Sequence, residues 1–254
     1  MENVSIQEPK IEEENKEKDI NYKRVYIRLS VVLVGIIIIF CLNNFYKGDF
    51  NSLKPNQCYN DLGHNWTLSV NDYFRKNITA RNAMLIFTGL LVDITLLITF
   101  YFWIFKWTDW VIAYAIALFY GIRGIFILNT FQLTFPEGYN FYYPGFPSLA
   151  VCYLATNDFF YSGHIGFPLL FALEYNRKGE YYLVIANIFI SVLEGTMMLI
   201  TRGHYTTDLI FGVIFAHYLY KISLIIDPIC EKYLCCACKS CTTQKEEIVN
   251  KDVN

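Results

Sequence analysis

Charge is the first thing this sequence lacks. Charged residues make up 17% of its 254 residues, whereas hydrophobic residues make up 54%. A soluble domain ordinarily carries about a quarter charged residues. The deficit is concentrated in long apolar runs, and a helix of roughly 20 apolar residues is enough to cross a bilayer. The composition therefore argues against a soluble enzyme and favours an integral membrane protein.

Six apolar runs follow a polar amino-terminal stretch. Backbone polar groups must be satisfied inside lipid, so helices are the natural structure for such runs. We therefore predict an all-α integral membrane protein with six transmembrane helices. The predicted spans are Val25–Phe45, Asn82–Phe105, Trp110–Phe131, Phe159–Tyr175, Tyr181–Ile200 and Tyr205–Ile226. The fourth is short and contains Pro168, which should kink or tilt it. This divides the chain into a disordered cytosolic tail (1–24), a six-helix membrane domain (25–226) and a cytosolic cysteine-rich tail (227–254).

Basic residues are also scarce on one side of the predicted membrane. With a cytosolic amino terminus, fourteen lysines and arginines lie on the cytosolic side and six on the other, and residues 132–158 contain none. The excess predicts that both termini are cytosolic. The glycosylation sequons at Asn65 and Asn77 then fall in the first luminal loop. The host membrane would be the endoplasmic reticulum, the Golgi or the plasma membrane.

Histidine is rare as well, with four in the chain. His164 lies in "YSGHIG" and His204 in "RGHYTTD", each against an apolar run. The predicted topology brings both to the luminal ends of their helices, at the same depth. We interpret His64 and His217 as structural.

The residues around these two histidines suit phosphoryl chemistry. His204 and Asp208 are four apart, which places them on one face of a helix, and the carboxylate can fix the imidazole tautomer. Ser162 and Gly163 lie where a helix start offers free amides to an anion. Arg202 could hold a phosphate oxygen. Each feature alone is common without catalysis, and the combination is what indicates a site.

Three ionisable residues fall inside the predicted helices. Intramembrane charges are costly and usually face a cavity or a partner. We expect Arg123 to pair with Glu194 or Asp93, or to contact a donor phosphate, with a purely structural ion pair as the alternative.

The two histidine motifs resemble those of a known family. "NDFFYSGH" and "RGHYTTD" are similar to the third and fourth motifs of the sphingomyelin synthase-related family, within the lipid phosphate phosphatase (PAP2-like) superfamily. Asp158 stands six residues before His164, as the family's aspartate does. His204, Tyr205 and Asp208 match the fourth motif. The resemblance covers residues 123–226, which hold the core motifs, together with the six-helix layout.

The departures from that family concern the substrate. Arg202 and Gly203 precede His204 where animal sphingomyelin synthases carry an acidic residue. The stretches "TRGHYTTDL" and "FPEGYNFYYPGFP" look more like the plant phosphatidylcholine:diacylglycerol cholinephosphotransferases. The chain has no Arg-Pro pair, and its arginine lies two residues before the histidine rather than six, unlike the classical lipid phosphate phosphatases.

The resemblance implies a membrane phospholipid headgroup transferase. His204 would attack the phosphorus of a phospholipid donor, Asp208 would orient His204, and His164 would exchange protons with ceramide or diacylglycerol as acceptor. The expected substrate-binding residues are Arg202, Arg123, Asp158, Ser162, Gly163 and Tyr205. No metal, other cofactor or nucleic-acid partner is expected. The alternatives are a phosphatase of the same superfamily and a non-catalytic lipid-binding scaffold. The aromatic stretch Tyr139–Phe146 could form one wall of a site for the choline headgroup through cation–π contact.

The eight cysteines divide between the two sides. Cys58 and Cys152 fall in predicted luminal loops, where a disulfide between them is possible. Five more cysteines lie between Cys230 and Cys241, just after the last helix. Juxtamembrane cysteines favour S-palmitoylation, with a zinc site as the rival reading.

Overall fold

Helices are the only regular secondary structure in the part of the chain that its structure, a computed structural model, describes. These are residues 22–38, 60–129, 135–153 and 159–237, and they include no strand. The helices are α1 (22–38), α2 (Leu62–Trp66), α3 (Leu68–Lys76), α4 (Ile78–Tyr101), α5 (Val111–Asn129), α6 (Gly163–Lys178), α7 (Tyr181–Ile200) and α8 (Thr206–Ala237). A π-helical turn over Phe102–Lys106 continues α4.

Three of these helices are long and apolar enough to cross a membrane. They span Ile78–Lys106, Tyr181–Ile200 and Thr206–Lys232. The apolar part of α5 is shorter, and α6 has 16 residues. The predicted span Tyr181–Ile200 coincides with α7, whereas α4 begins four residues before the predicted Asn82 and α8 continues beyond Ile226.

Exposed apolar side chains follow one face of α4. They recur every three or four residues, which is the spacing of one helical face: Phe87, Leu90, Ile94, Leu97 and Tyr101. On a soluble protein so continuous an apolar stripe would mark an interaction surface. On a membrane helix this stripe faces the acyl chains.

Helix α6 lies at the centre of the bundle. It packs against α7 and α8, while α5 packs against α8 and α4 against α7. Leu170, Phe171 and Tyr175 of α6 are fully buried. The helix ends at Gly179, whose φ of +79° gives the left-handed C-cap that glycine adopts without strain. The buried position of α6 holds its first turn, which carries His164, firmly in place.

The end of the bundle away from the histidines is held by a buried arginine. Arg28 of α1 is 0% exposed. Its guanidinium donates to the carbonyls of Trp103, Trp107 at 2.7 Å, Thr108 at 2.9 Å and Asp109 at 2.8 Å. The last carbonyls of a helix have no intrahelical donor, and Arg28 supplies one. It thereby fastens α1 to the end of α4.

A carboxylate network lies at the same end. Glu174 is fully buried and accepts from Arg177 and from the Tyr220 hydroxyl at 2.9 Å. Arg177 also donates to Asp109 at 2.7 Å, and Lys178 lies 2.5 Å from the same carboxylate. These bonds join α6 to the middle of α8 and to Asp109, which lies between α4 and α5, so the far end holds a polar cluster with its charges paired.

Candidate active site

His164 lies in the first turn of α6. Ser162, with extended backbone dihedrals, is the N-cap, and the helix begins at Gly163. The Nδ1 atom of His164 lies 3.0 Å from Oε2 of Glu194, a buried residue of α7. The imidazole therefore has a carboxylate partner from a different helix.

His204 lies in the turn between α7 and α8. Its Nδ1 atom is 3.3 Å from Oδ2 of Asp208. The expected pair thus forms, but not on one helical face, because α8 begins only at Thr206. The same oxygen of Asp208 accepts the backbone N–H of Tyr205 at 3.0 Å, in the manner of a capping box. One carboxylate orients the imidazole and also caps the helix.

The two imidazole rings lie close together, with centroids 5.7 Å apart. Each ring directs Nδ1 to a carboxylate, so Nδ1 carries the proton in the neutral tautomer that these contacts favour, and the lone pair is then on Nε2. His164 also meets the ring of Phe141 edge-on, with centroids 5.3 Å apart. The site therefore consists of two histidine–carboxylate pairs whose imidazole rings lie next to each other.

The backbones of α6 and α8 are in contact beside the two imidazole rings. The Ser162 N–H donates to the carbonyl of Asp208 at 2.9 Å. A Cβ atom at Gly212 would lie 2.7 Å from the carbonyl oxygen of Ser162, so a larger residue does not fit there. This close approach fixes the distance between the helix starts that carry the two histidine motifs.

The segment 60–67 supports His204 from behind. The Nε2 atom of His64 lies 2.8 Å from the His204 carbonyl, and its ring packs on Tyr205 with centroids 5.4 Å apart. Asp61 accepts from the backbone N–H of Thr206 at 2.7 Å and from its hydroxyl at 2.6 Å. A residue interpreted as structural from the sequence therefore touches the backbone of His204.

Ionisation in this segment reflects its burial and its hydrogen bonds. Burial lowers the pKa of the His64 imidazole below its ordinary value, so the ring is held neutral. Burial alone would raise the pKa of Asp61, but the hydrogen bonds from Thr206 and His64 outweigh it and lower that pKa. Asp61 is therefore held as a carboxylate, the form that accepts these bonds.

Three of the expected substrate-binding residues lie beside His164. Ser162 is fully buried, and its hydroxyl has no hydrogen-bond partner among the described residues. A Cβ atom at Gly163 would lie 3.7 Å from Nη1 of Arg123, so that guanidinium lies near the start of α6. Arg123 also donates from Nε to the Tyr161 carbonyl at 3.0 Å. A hydroxyl, a helix start and a guanidinium thus converge near His164.

The other expected substrate-binding residues are placed differently. Arg202 is 3% exposed, has φ +58° and donates to the Thr67 hydroxyl at 3.3 Å, so it binds the segment 60–67. Burial lowers the pKa of its guanidinium. Tyr205 contributes its backbone N–H to Asp208 and its ring to the contact with His64. Asp158 lies outside the described residues.

The intramembrane carboxylates have partners other than the expected Arg123. Glu194 bonds His164. Asp93 accepts from the Ser148 hydroxyl at 2.8 Å and from the backbone N–H groups of Leu149 and Ala150. The only sequence signal for the Glu194 contact was its depth, six residues before Ile200 at the end of its helix.

The predicted aromatic wall packs against the site. Phe141 and Tyr153 lie 5.3 Å apart by ring centroids, and Phe141 in turn contacts His164. Tyr142 carries the guanidinium of Arg81 over its ring, 5.7 Å from the centroid. One cation–π position of the wall is therefore filled by the protein itself.

Comparison with known proteins identifies the family. The model of the AtPDCT1/2 family matches residues 60–224, which include both histidine–carboxylate pairs and the segment around His64. No curated protein and no solved structure matches the chain. The match covers more than half of the chain and confirms the cholinephosphotransferase part of the resemblance. The chain therefore belongs to the AtPDCT1/2 family, the phosphatidylcholine:diacylglycerol cholinephosphotransferases.

Proposed function

We propose that the protein transfers phosphocholine from phosphatidylcholine to diacylglycerol through a phospho-histidine intermediate. One observation carries the mechanism: two imidazoles 5.7 Å apart, each bonded through Nδ1 to a buried carboxylate. Family membership supports the headgroup and the acceptor.

In the first half-reaction, Nε2 of His204 attacks the phosphorus of the donor. The P–N bond forms as the bond between phosphorus and the glycerol oxygen breaks. Nε2 of His164 donates a proton to that oxygen, which leaves as the hydroxyl of diacylglycerol. Asp208 stabilises the positive charge that develops on His204, and Glu194 stabilises protonated His164.

The second half-reaction reverses these roles. The hydroxyl of an incoming diacylglycerol gives its proton to His164, and its oxygen attacks phosphorus. The P–N bond breaks, and its electron pair returns to His204. One histidine thus acts as the nucleophile and the other as acid and then base.

The phosphate oxygens need their own donors. We assign these to the Ser162 hydroxyl, the amides at the start of α6 and the Arg123 guanidinium. The placement of Arg202 against Thr67 favours a supporting role for it over direct phosphate contact. Asp158 stays a predicted member of the site.

We place this site at the luminal face of a six-span bundle of the sphingomyelin synthase type. Lys106, Arg177, Lys178 and Lys221 all lie toward the end opposite the histidines, as expected if that end is cytosolic. The sequon at Asn65 lies within the segment 60–67 that supports His204, the sequon at Asn77 follows it, and both asparagines are exposed. Glycosidase-sensitive modification of either would support the orientation.

A headgroup-exchange assay tests the function. Full-length protein in proteoliposomes receives phosphatidylcholine labelled in its choline methyl groups, with diacylglycerol of distinct acyl chains, with ceramide, or with neither. We expect label in phosphatidylcholine that carries the acceptor's chains. Sphingomyelin as the main product would identify ceramide, rather than diacylglycerol, as the acceptor. Release of free phosphocholine would identify water as the acceptor.

Two variants connect the assay to the site. His204→Ala should abolish transfer to every acceptor. His217→Ala changes an exposed histidine of the same helix, α8, and should leave transfer unchanged. Undiminished transfer by His204→Ala would end the proposed mechanism.

A further inference from the structure

The aromatic stretch from Asn140 to Tyr153 runs down the side of α4 and back. Asn140 accepts from the Arg81 guanidinium at 2.7 Å, near the start of α4. The Tyr153 hydroxyl donates to the Leu85 carbonyl at 3.0 Å. Between Asn140 and Tyr153 in the sequence, the backbone N–H groups of Leu149 and Ala150 donate to Asp93, which lies farther along α4. The segment therefore descends past twelve residues of helix between Arg81 and Asp93, or roughly 18 Å, before it returns.

Asp93 lies near the middle of a candidate membrane span. The span Ile78–Lys106 has 29 residues, and Asp93 is about equally far from its two ends. The Leu149 side chain, beside Asp93, is 71% exposed. At this depth an exposed leucine contacts acyl chains.

We infer that residues 140–153 form a re-entrant loop whose tip, residues 148–151, lies within the bilayer and is fastened by Asp93. Non-helical backbone is tolerated at membrane depth only where its polar groups are satisfied within the protein. Asp93 accepts from two of the loop's N–H groups, and the Ser148 hydroxyl accepts from a third, that of Val151. Pro144 and Pro147 have no N–H group to satisfy.

The side chains of the loop fit the same environment. The stretch Tyr139–Tyr153 contains no charged residue. Its large exposed side chains are apolar or aromatic: Tyr142, Tyr143, Phe146 and Leu149. Ile94, which follows Asp93 on α4, is exposed as well. Acyl chains of bilayer lipid are therefore the occupant of this surface.

The opposite side of the loop meets the candidate active site. Phe141 contacts His164, and the Tyr153 hydroxyl fits against α4 only because residue 89 is glycine, where a Cβ atom would lie 2.7 Å away. The loop thus places Phe141 directly against His164.

Depth-dependent fluorescence quenching tests this placement. Single cysteines are introduced by Leu149→Cys, Ile94→Cys and Arg75→Cys in a cysteine-depleted full-length chain, labelled with a small fluorophore and reconstituted in liposomes. Ile94 is an exposed residue of α4 at the depth of Asp93, and Arg75 is an exposed residue of α3. Quenching uses lipids that carry a nitroxide on the acyl chain, and iodide in water.

We expect the label at position 149 to be quenched like that at position 94, by the acyl-chain nitroxide, and several-fold less by iodide than the label at position 75. Strong iodide quenching at position 149 would overturn the inference. With Asp93→Ala, the label at position 149 should gain access to iodide while the label at position 94 does not. An unchanged profile would show that Asp93 is not the anchor. Because the readout is depth, the result does not depend on the proposed transferase activity.

Discussion

At the scale of single residues, the two carboxylates beside the histidines have different origins. Asp208 is local to His204, and its oxygen is shared between the imidazole and the Tyr205 N–H. Glu194 comes from another helix and bonds only His164 through Oε2, while its Oε1 has no partner among the described residues. Replacing either carboxylate removes the acceptor that selects the tautomer.

Asp208→Asn should lower kcat by about 10³- to 10⁴-fold, the scale on which an orienting carboxylate acts in other histidine-dependent sites. The amide oxygen can still cap Tyr205, so the fold should persist. Glu194→Gln should also slow transfer, but the phosphorylated enzyme should still form with a donor that has a good leaving group. Transfer kinetics with a circular-dichroism control measure both effects, and near wild-type turnover in Asp208→Asn would contradict the assignment.

His64 should make stability depend on pH. Its folded pKa is lowered, so the unfolded chain binds a proton that the folded chain does not. The stabilisation is complete above the ordinary histidine pKa, about 6.5, and is lost as the pH falls below it. Thermal midpoints across this range should fall more steeply for the wild-type protein than for His64→Gln, whose amide can still donate to the His204 carbonyl. If the thermal midpoints of the two proteins fell in parallel with pH, groups other than His64 would be responsible for the pH dependence.

Sequence spacing could predict the His204–Asp208 pair because the partners are four residues apart. The spacing predicted that both residues lie on one helix, but His204 lies in the turn before α8, which begins at Thr206. The Glu194–His164 pair joins residues thirty apart, and its geometry depends on how α6 and α7 pack. Similar depth in the membrane suggested Arg123 as the partner of Glu194, whereas the structure places His164 there.

At the scale of elements, the contact between the starts of α6 and α8 sets the geometry of the site. Gly212 permits that contact, and its nearest neighbour is backbone rather than a flexible side chain. The sequence predicted both helices but not their approach, because a glycine in an apolar run does not reveal what it packs against.

Gly212→Ala should therefore destabilise the fold by about 1–3 kcal/mol, as overpacking does, and should lower kcat by moving the two histidine motifs apart. Gly121→Ala is the matched control, because a Cβ atom at Gly121 in α5 meets nothing within 4 Å. That change should be neutral or stabilising by up to about 1 kcal/mol. Thermal midpoints and transfer rates in the same detergent compare the two, and equal effects would remove the special role of Gly212.

At the scale of the whole molecule, polar chemistry is divided between the two ends of the bundle. The candidate active site occupies one end, and Arg28 with the Glu174 network occupies the other. The distribution of basic residues predicts which end is cytosolic, but a count of basic residues takes each one as a solvated charge in a loop. Several are in fact bonded, as Arg28 and Arg177 are to Asp109.

Arg28→Met should lower stability by about 3 kcal/mol or more, because it leaves the carbonyls at the end of α4 without donors. The transfer rate of the protein that remains folded should not change, since the arginine is at the opposite end from the histidines. Lys106→Met, a change at an exposed residue of the same end, should have little effect on either quantity. A fall in transfer rate at constant stability would mean that the two ends are coupled.

The proximity of the two imidazoles also has a kinetic consequence under the proposed mechanism. In the proposed mechanism, one phosphocholine group at a time is bound to His204, whose ring lies 5.7 Å from that of His164, so the first diacylglycerol would depart before the second enters. Initial-rate plots should then show the parallel lines of a ping-pong scheme. The bond formed is of the same type as the bond broken, so the equilibrium constant lies close to one. The relative sizes of the donor and acceptor pools, rather than the enzyme, would then set the direction of net exchange.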